Sequence, residues 1–591
     1  MVLKGVNNRW CRGRRPLDRG AGTDRDGGRT DGSIGHALTL APAPGGRELS
    51  DGCTLLPMSA KKSLLWSASA GLAGITGLAA HDVLQKKHSL LRAFPVVGHG
   101  RYFVETIGPE LRQYIVASND EERPFSRDQR SYIYSAAKGV NTYFGFGTDN
   151  DIEHLEGYPV IKHRTFTGDA PDTAAAHGSH DDATLPCAKV LGAARGRRKA
   201  FRPHSIVNVS AMSYGSLSAQ AIRALNGGAA AAGCLHNTGE GGLSDHHRQG
   251  GDLILQIGTA YFGCRDSDGR FDLDKLVALT ESAPVRAIEV KLSQGAKPGL
   301  GGVLPAAKVT PEIARIRGIP EGEDCISPSR HTAFHDVDSM LDWVELVADA
   351  TGLPVGIKSA VGDMTFWEHL AEQMTGGDRG VDFVTVDGGE GGTGAAPLVF
   401  SDSVSMPFRA GFTRVYSVFA RAGLTDRIVF VGSGKLGLPD NAMVAFALGA
   451  DMLNVAREAM LAIGCLQTQK CHTGHCPTGV ATQNRWLARS LDPELKAGRT
   501  ASYISTLRRD LLKVAEATGV LHPALIDCDD IEIFFGQSSS RSLRDVAGYE
   551  AGWGQPSRAD RDELARIMAE LGDESPAPAQ IPTGEDAQQE A

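Results

Sequence analysis

What the sequence lacks most clearly is a net charge of the kind that draws nucleic acid. Lysine and arginine number 61 against 70 aspartates and glutamates, a formal charge of −9, so no basic footprint marks a nucleic-acid partner. A disulfide framework is also missing. Of 10 cysteines, Cys11, Cys53, Cys187, Cys234, Cys264, Cys325 and Cys528 stand singly along the chain. That scatter points to a reducing compartment. A nucleotide P-loop is excluded as well: Gly432-Ser-Gly-Lys435 has Leu436 where Ser or Thr is required and Val429 where the first glycine should stand.

Against these absences stands Cys465-Leu-Gln-Thr-Gln-Lys-Cys471-His-Thr-Gly-His-Cys476-Pro477. Three cysteines fall within twelve residues. Closely spaced thiols ending in a Cys-Pro pair are how an irregular loop aims several sulfurs at one inorganic core, so an iron–sulfur cluster is the leading reading. Three ligands suit a [3Fe-4S] cluster, or a [4Fe-4S] cluster completed from elsewhere. Zinc held with His472 or His475, and three unrelated buried thiols, are the competing readings.

Residues 1–57 are rich in Gly, Arg and Asp with almost no apolar periodicity and read as disordered. Met58 is expected to be the true start and 1–57 a mis-called extension. Residues 63–80 then run 18 positions without a charge. The stretch 64–80 is just long enough to span a bilayer, so a single-pass anchor over about 63–83 is expected. A buried or peripheral helix is one competing reading. The other is a cleaved signal peptide with Lys61 and Lys62 as its n-region. Lys86, Lys87 and Arg92 follow, which favours the cytoplasmic side for everything downstream. Residues 85–200 read as mixed helix and loop, with helices opening at Pro109 and at Ser126-Arg-Asp-Gln and a polar surface loop at 168–184. No chemistry is apparent there.

From about 203 short apolar strands alternate with helix-length connections: 206–211, 233–237, 253–257, 287–291, 355–358, 383–386, 428–431 and 452–455. Eight strands over roughly 275 residues are most economically an α/β fold closed as a (β/α)8 TIM barrel, with a doubly wound open sheet as runner-up. The barrel places ligands at the C-terminal ends of the strands, where the glycine-rich and ionisable residues fall. Gly432-Ser-Gly-Lys435 then reads as a phosphate cradle. The glycines of Asp387-Gly-Gly-Glu-Gly-Gly-Thr-Gly394 let a ring or phosphate approach the backbone, or serve as plain turns. Lys358 stabilises a reduced ring or forms a structural ion pair. Lys291, Gln294 and Lys297 suit an acidic substrate or make a solvated face. Beyond the barrel, 486–550 reads as a helical extension and 551–591 as a short helix (558–571) with a disordered tail.

Met212-Ser-Tyr-Gly-Ser216, Asn237-Thr-Gly-Glu-Gly-Gly242, Gln294-Gly-Ala-Lys-Pro-Gly299, Ile326-Ser-Pro328, Gly391-Gly-Thr-Gly-Ala395 and Cys476-Pro-Thr-Gly-Val-Ala-Thr482 resemble, in order over about 200–485, the FMN-binding domain of glutamate synthases. Leu84-Gln-Lys-Lys-His88 and Phe94-Pro-Val-Val-Gly98 resemble text of the family's short, stand-alone members. The resemblance implies an FMN-bearing barrel with a [3Fe-4S] cluster on Cys465, Cys471 and Cys476. It places FMN against Met212, Ser213, Lys358, Asp387, Gly388, Gly389, Gly432, Gly434 and Lys435. It gives 2-oxoglutarate to Lys291, Gln294 and Arg317, and sets Glu240 near the flavin where ammonia arrives.

The activity so implied is reductive amination of a small 2-oxo acid, 2-oxoglutarate, through 2-iminoglutarate to L-glutamate. An N-methylglutamate synthase subunit and a membrane-tethered electron-transfer module are the alternatives. Implied partners are an electron donor, either ferredoxin or a reductase subunit, and an ammonia-supplying protein unless ammonia is free. The expected assembly is a homo-oligomer, in the cytoplasm or on the cytoplasmic side of a membrane. Departures bear on the substrate: Leu300 and Val303 stand where full-length enzymes carry Glu and Gln, and Arg457-Glu458 puts a charge pair after the last strand. The glutamine-hydrolysing and β-helical domains of full glutamate synthase have no counterpart in this sequence.

Overall fold

In the computed structural model the described residues are 58–573, except 86–87, 113–115, 117, 144, 153, 155 and 168–183. The expected disorder of 1–57 and of the tail past 573, and all but the last residue of the expected 168–184 loop, lie outside them.

The chain divides into two units, the first ending at Gly100. In the first, the expected anchor segment lies within one 27-residue helix, Met58–Leu84. It is not a membrane span. Among the described residues no helix is long and apolar enough to cross a bilayer, because Gly, Ala and Ser dilute the apolar side chains of 64–80. The expectation of a single-pass anchor is thereby corrected. At the C-terminal end of the helix the carboxylate of buried Asp82 accepts hydrogen bonds from the Val96 N–H and His99 Nε2, each at 2.9 Å.

The second unit is built on the barrel. Its strands are β1 (Val207–Val209), β2 (His236–Asn237), β3 (Leu253–Ile257), β4 (Val285–Lys291), β5 (Val355–Ser359), β6 (Phe383–Asp387), β7 (Val429–Ser433) and β8 (Met452–Val455). They pair in parallel in chain order, and β8 closes onto β1. The (β/α)8 barrel expected from the strand rhythm is thus the observed fold, its eight strands falling on the eight apolar runs. Parallel strands covered on both faces read as continuous apolar stretches, which is why they were visible.

The N-terminal mouth of the barrel is plugged. Cys187, Leu191 and Phe201 pack on Ile254, Ala287, Phe383, Val429 and Met452 in one buried cluster, and buried Lys189 pairs with Asp451 at 2.9 Å. Higher in the interior the layer turns polar. Glu289, fully buried, accepts from Asn237 Nδ2 at 2.8 Å, Gln256 Nε2 at 2.6 Å and Thr385 Oγ1 at 2.7 Å. A buried carboxylate is tolerated when its lone pairs are so satisfied. This layer lies beneath the open, C-terminal mouth.

Outside the barrel, Ser126 caps the helix Arg127–Lys138 in a reciprocal capping box with Gln129, as its Ser-Arg-Asp-Gln text predicts. Pro109 lies in the last turn of the helix Gly98–Leu111 instead of opening one. The 486–550 stretch holds the 25-residue helix Pro493–Ala517. It also supplies strands Ile531–Phe535 and Ser540–Ser542, which with Glu156–Ile161 make a three-stranded antiparallel sheet. The alternating burial of Ile531–Phe535 is a strand's period of two. The last helix runs Arg558–Asp573.

Candidate active site at the barrel mouth

The loops after the strands surround a cavity of about 1260 Å³. Met212, Ser213, Glu240, Lys291, Gln294, Arg317, Gly389, Gly434, Lys435, Cys465, Cys471 and Cys476 all line it. Twelve of the sixteen sequence-expected site residues thus share one chamber.

One wall is ionic. Lys291 ends β4, and its ammonium donates to Glu240 Oε1 at 2.7 Å and Gln294 Oε1 at 2.8 Å. Glu240 sits after β2, its carboxylate wedged between Gly258 and Gly302. A Cβ on Gly258 would fall 2.5 Å from Glu240 Oε2, and one on Gly302 2.8 Å from Oε1. Burial pushes the Glu240 carboxyl up, but the charge and hydrogen bond of Lys291, with Lys297 and Arg317, outweigh it and hold the group below its ordinary value. Lys297 is shifted down, by burial first and by Lys291 next. Arg317 closes the helix Pro311–Arg317 and is buried. Its Nη2 donates to the Tyr214 carbonyl at 3.2 Å, and its guanidinium lies 5.1 Å from the Phe262 ring. Among the described residues its Nε has no partner. This wall can fix carboxylates: cations converge, and donors remain unspent on Lys291 and Arg317.

The second wall is bare backbone. After β6, Gly388 N–H donates to the Ser433 carbonyl at 2.8 Å, tying this loop to the end of β7. Gly295 passes so close that a Cβ there would lie 1.8 Å from the Gly388 carbonyl oxygen. Gly434, at φ 129°, and Lys435, at φ 58°, turn the chain into the helix Pro439–Ala447. Lys435 is shifted down by burial, then by the charges of Arg457 and Arg123. Exposed glycine backbone beside a helix start and a cation suits a phosphate-bearing planar cofactor.

Four expected residues sit behind this surface. Lys358 Nζ lies 3.6 Å from Asp387 Oδ2, and the same oxygen accepts the Gly295 N–H at 2.8 Å. Gly388 packs on Phe408. Gly432 is enclosed by Leu436, Phe408 and Leu453, so its missing Cβ makes room for neighbouring side chains.

The third wall is the cysteine loop, after the short helix Arg457–Ala462. Cys465 Sγ accepts the Gln467 N–H at 3.4 Å, and Cys476 lies 3.5 Å from Thr478 Oγ1. Burial pushes the Cys465 thiol up to about 12. Cys476 is likewise pushed up by burial, but the Thr478 hydroxyl and the N–H groups of Ala481, Thr478 and Val480 bring it below the ordinary thiol value. Buried Lys308 stands behind the loop, donating to the Cys471 carbonyl at 2.8 Å and the Ala481 carbonyl at 3.3 Å. Among the described residues no three His, Cys, Asp or Glu side chains are gathered closely enough to hold a metal ion. The thiols share a wall without being drawn together. Three thiols with backbone N–H groups aimed at them are the donor type that would suit iron–sulfur ligation.

Several contributors had no signal in the sequence. Lys308 comes from a short turn of ordinary composition. Arg123 and Phe125 come from the region in which no chemistry was apparent, and they line the cavity opposite Lys435 and Arg457. Arg457 had a partial signal, as a charge immediately after a strand.

Comparison with known proteins adds the following. Residues 184–521 match the conserved region in glutamate synthase. The glutamate synthase large subunit-like protein YerD of Bacillus subtilis is 37% identical over 469 residues, covering 75% of this chain and 89% of that protein. The archaeal glutamate synthase (NADPH) of Methanocaldococcus jannaschii is 35% identical over 325 residues, covering 53% of this chain and 59% of that protein. The archaeal-type glutamate synthase (NADPH) of Thermotoga maritima is 34% identical over 318 residues, with the same two coverages. The chain therefore spans most of the first relative and under two thirds of the other two. Among solved structures, a lactate oxidase of Pediococcus acidilactici is similar over 72% of this chain and 90% of its own, at 14% identity and a TM-score of 0.36.

Proposed function

The chain belongs to the glutamate synthase family, and from that premise we propose that it is an FMN- and iron–sulfur-dependent oxidoreductase making L-glutamate by reductive amination of 2-oxoglutarate. The observation that carries this reading is the convergence, in one cavity, of a carboxylate-binding wall, a bare-backbone wall and a wall of three thiols. Gly389, Gly434 and Lys435 would hold FMN, which would supply the hydride, and Cys465, Cys471 and Cys476 would hold a [3Fe-4S] cluster, which would supply electrons to it.

This chain's own residues do the rest. Lys291 spends two protons on Glu240 and Gln294 and has a third for a substrate carboxylate. Arg317, whose Nε has no partner among the described residues, takes the other. Fixing both ends holds the substrate's C2 in place, where positioning contributes much of the rate. Glu240, kept ionised by Lys291, Lys297 and Arg317, accepts hydrogen bonds from ammonia beside that carbon. Loss of water from the 2-oxo acid and ammonia gives 2-iminoglutarate. Hydride added at C2 and a proton added at nitrogen then give glutamate.

The electron donor is a reductase subunit or ferredoxin, and ammonia is free or delivered by a partner. The described cysteines are all unpaired, which suits the cytoplasm. Purified, anaerobic protein given dithionite, 2-oxoglutarate and 15N-ammonium is expected to form 15N-glutamate. No glutamate from protein that carries both cofactors overturns the reading.

A further inference from the structure

The turn after β1 is a wall between two cavities. Met212, Ser213 and Ser216 line the catalytic cavity. Tyr214 instead lines a separate cavity of about 510 Å³, with His246, Glu312 and Gln483, none of which borders the catalytic one. The turn is fastened from outside: Gln483 Nε2 donates to the Gly215 carbonyl at 3.1 Å and to the Leu217 carbonyl at 2.8 Å.

Tyr214 holds the helix Pro311–Arg317 at both ends. Its hydroxyl donates to Glu312 Oε2 at 2.7 Å, near the start of the helix, and its backbone carbonyl accepts from Arg317 Nη2 at 3.2 Å, at the end. Burial and then the bond to Glu312 push the phenol up, so it keeps its proton and donates. His246 braces the pair. Its ring meets the Tyr214 ring edge-on, with centroids 4.6 Å apart. His246 Nδ1 accepts from Arg223 Nε at 3.0 Å, which leaves the proton of the neutral imidazole on Nε2. That nitrogen lies 3.2 Å from Glu312 Oε1, off the line of a hydrogen bond.

Arg317 depends on this support because no carboxylate aims it. Among the described residues it has no ion pair. Its other contacts are weak ones, Cys325 Sγ at 3.7 Å from Nη1 and the face of Phe262. It is also tightly enclosed: a Cβ on Gly241 would lie 2.9 Å from Nη2, and one on Gly215 3.1 Å from it. A shift of the Tyr214 carbonyl therefore redirects the guanidinium, and a planar fork binds a carboxylate well only when correctly aimed.

We propose that Tyr214 is a positioning residue for the substrate: its hydroxyl on Glu312 and its carbonyl on Arg317 set, from outside the catalytic cavity, where Arg317 meets a carboxylate of the 2-oxo acid. The inference rests on the reading of Arg317 as a carboxylate ligand and adds the residues that orient it.

The test is calorimetric titration of 2-oxoglutarate into the full-length, cofactor-loaded, oxidised protein, with KM and kcat for glutamate formation measured alongside. Tyr214→Phe keeps the ring and removes the hydroxyl. It is expected to raise Kd and KM by about 10-fold, the size of one lost hydrogen bond to a charged group. With kcat held within about twofold, this is the pattern of lost uniform binding. Glu312→Ala should match it, and Glu312→Gln, which still accepts from the phenol, should recover most of the loss. The double variant Tyr214→Phe/Glu312→Ala should lose no more than either single variant, because each removes the same bond. Flavin content and melting temperature should stay at their wild-type values. Unchanged affinity in Tyr214→Phe and Glu312→Ala, with binding abolished in Arg317→Met, overturns the inference and leaves the functional reading standing. Flavin or melting temperature lost in step with affinity makes Tyr214 a scaffold residue and also overturns it. Wild-type protein that binds no 2-oxoglutarate overturns both.

Discussion

Lys291 Nζ, at the end of β4, and Glu240 Oε1, from the loop after β2, meet at 2.7 Å and join the cationic wall to the expected site of ammonia. Neither side chain is more than a fifth exposed, so removing one leaves the other a largely desolvated charge. Lys291→Met is expected to abolish glutamate formation and to destabilise the fold by about 1–3 kcal/mol at neutral pH, read by urea unfolding. The pH dependence has a definite sign. Glu240 is depressed in the folded state, so its contribution is present above the unfolded carboxyl value of about 4.3 and is lost as pH falls through the folded value. The gap between wild type and variant should close toward acid pH. A gap independent of pH contradicts the pairing.

Gly295→Ala tests the contact between loops. Its Cβ would lie 1.8 Å from the Gly388 carbonyl oxygen and 2.5 Å from the carbonyl carbon. Both neighbours are backbone, so the loop after β6 has to move. The expected cost is about 1–3 kcal/mol, as for overpacking elsewhere, together with a lower flavin content on purification. Full flavin content with an unchanged melting temperature would show that the two loops do not depend on each other.

The cysteine assignment is tested by contrast. Cys471→Ala should remove the broad iron–sulfur absorbance and leave the flavin bands. Cys187→Ala, in the plug at the opposite mouth of the barrel, should keep both. Iron retained in Cys471→Ala would sink the ligand set.

A hydrogen-bonded clamp between Gln467 and Phe125 gives a prediction for dynamics. Gln467→Ala removes both hydrogen bonds to the Phe125 backbone, and the amides of Arg123, Phe125 and Ser126 should exchange hydrogen faster than in wild type. Unchanged protection would mean that the helix Arg127–Lys138 alone holds the segment.

What was legible beforehand follows from the physics of each part. Barrel strands buried on both faces are continuous apolar runs, so 253–257 or 383–386 could be read almost to the residue. Backbone-lined ligand surfaces are written in glycine, so the loops at 239–242 and 387–394 stood out. Packing and binding glycines look alike in a sequence: Gly432 proved to be enclosed by Leu436, Phe408 and Leu453, whereas Gly434 lines the cavity. The helix Met58–Leu84 contains the expected segment 63–83, but length and lack of charge do not make a membrane span where Gly, Ala and Ser lower the hydropathy. Phe125 and Lys308 reach the cavity through tertiary contacts with residues over a hundred positions away, and no local pattern encodes such a contact.

The central claim is that one cavity holds flavin, thiol-bound cluster and 2-oxo acid together. The most direct measurement is a single turnover: reduce the purified protein anaerobically with one equivalent of dithionite per accepted electron pair, then add 2-oxoglutarate and ammonium while recording the flavin spectrum. Flavin reoxidation matched by an equal yield of glutamate is expected. Flavin that stays reduced in the presence of both substrates, with the iron–sulfur absorbance intact, would contradict it.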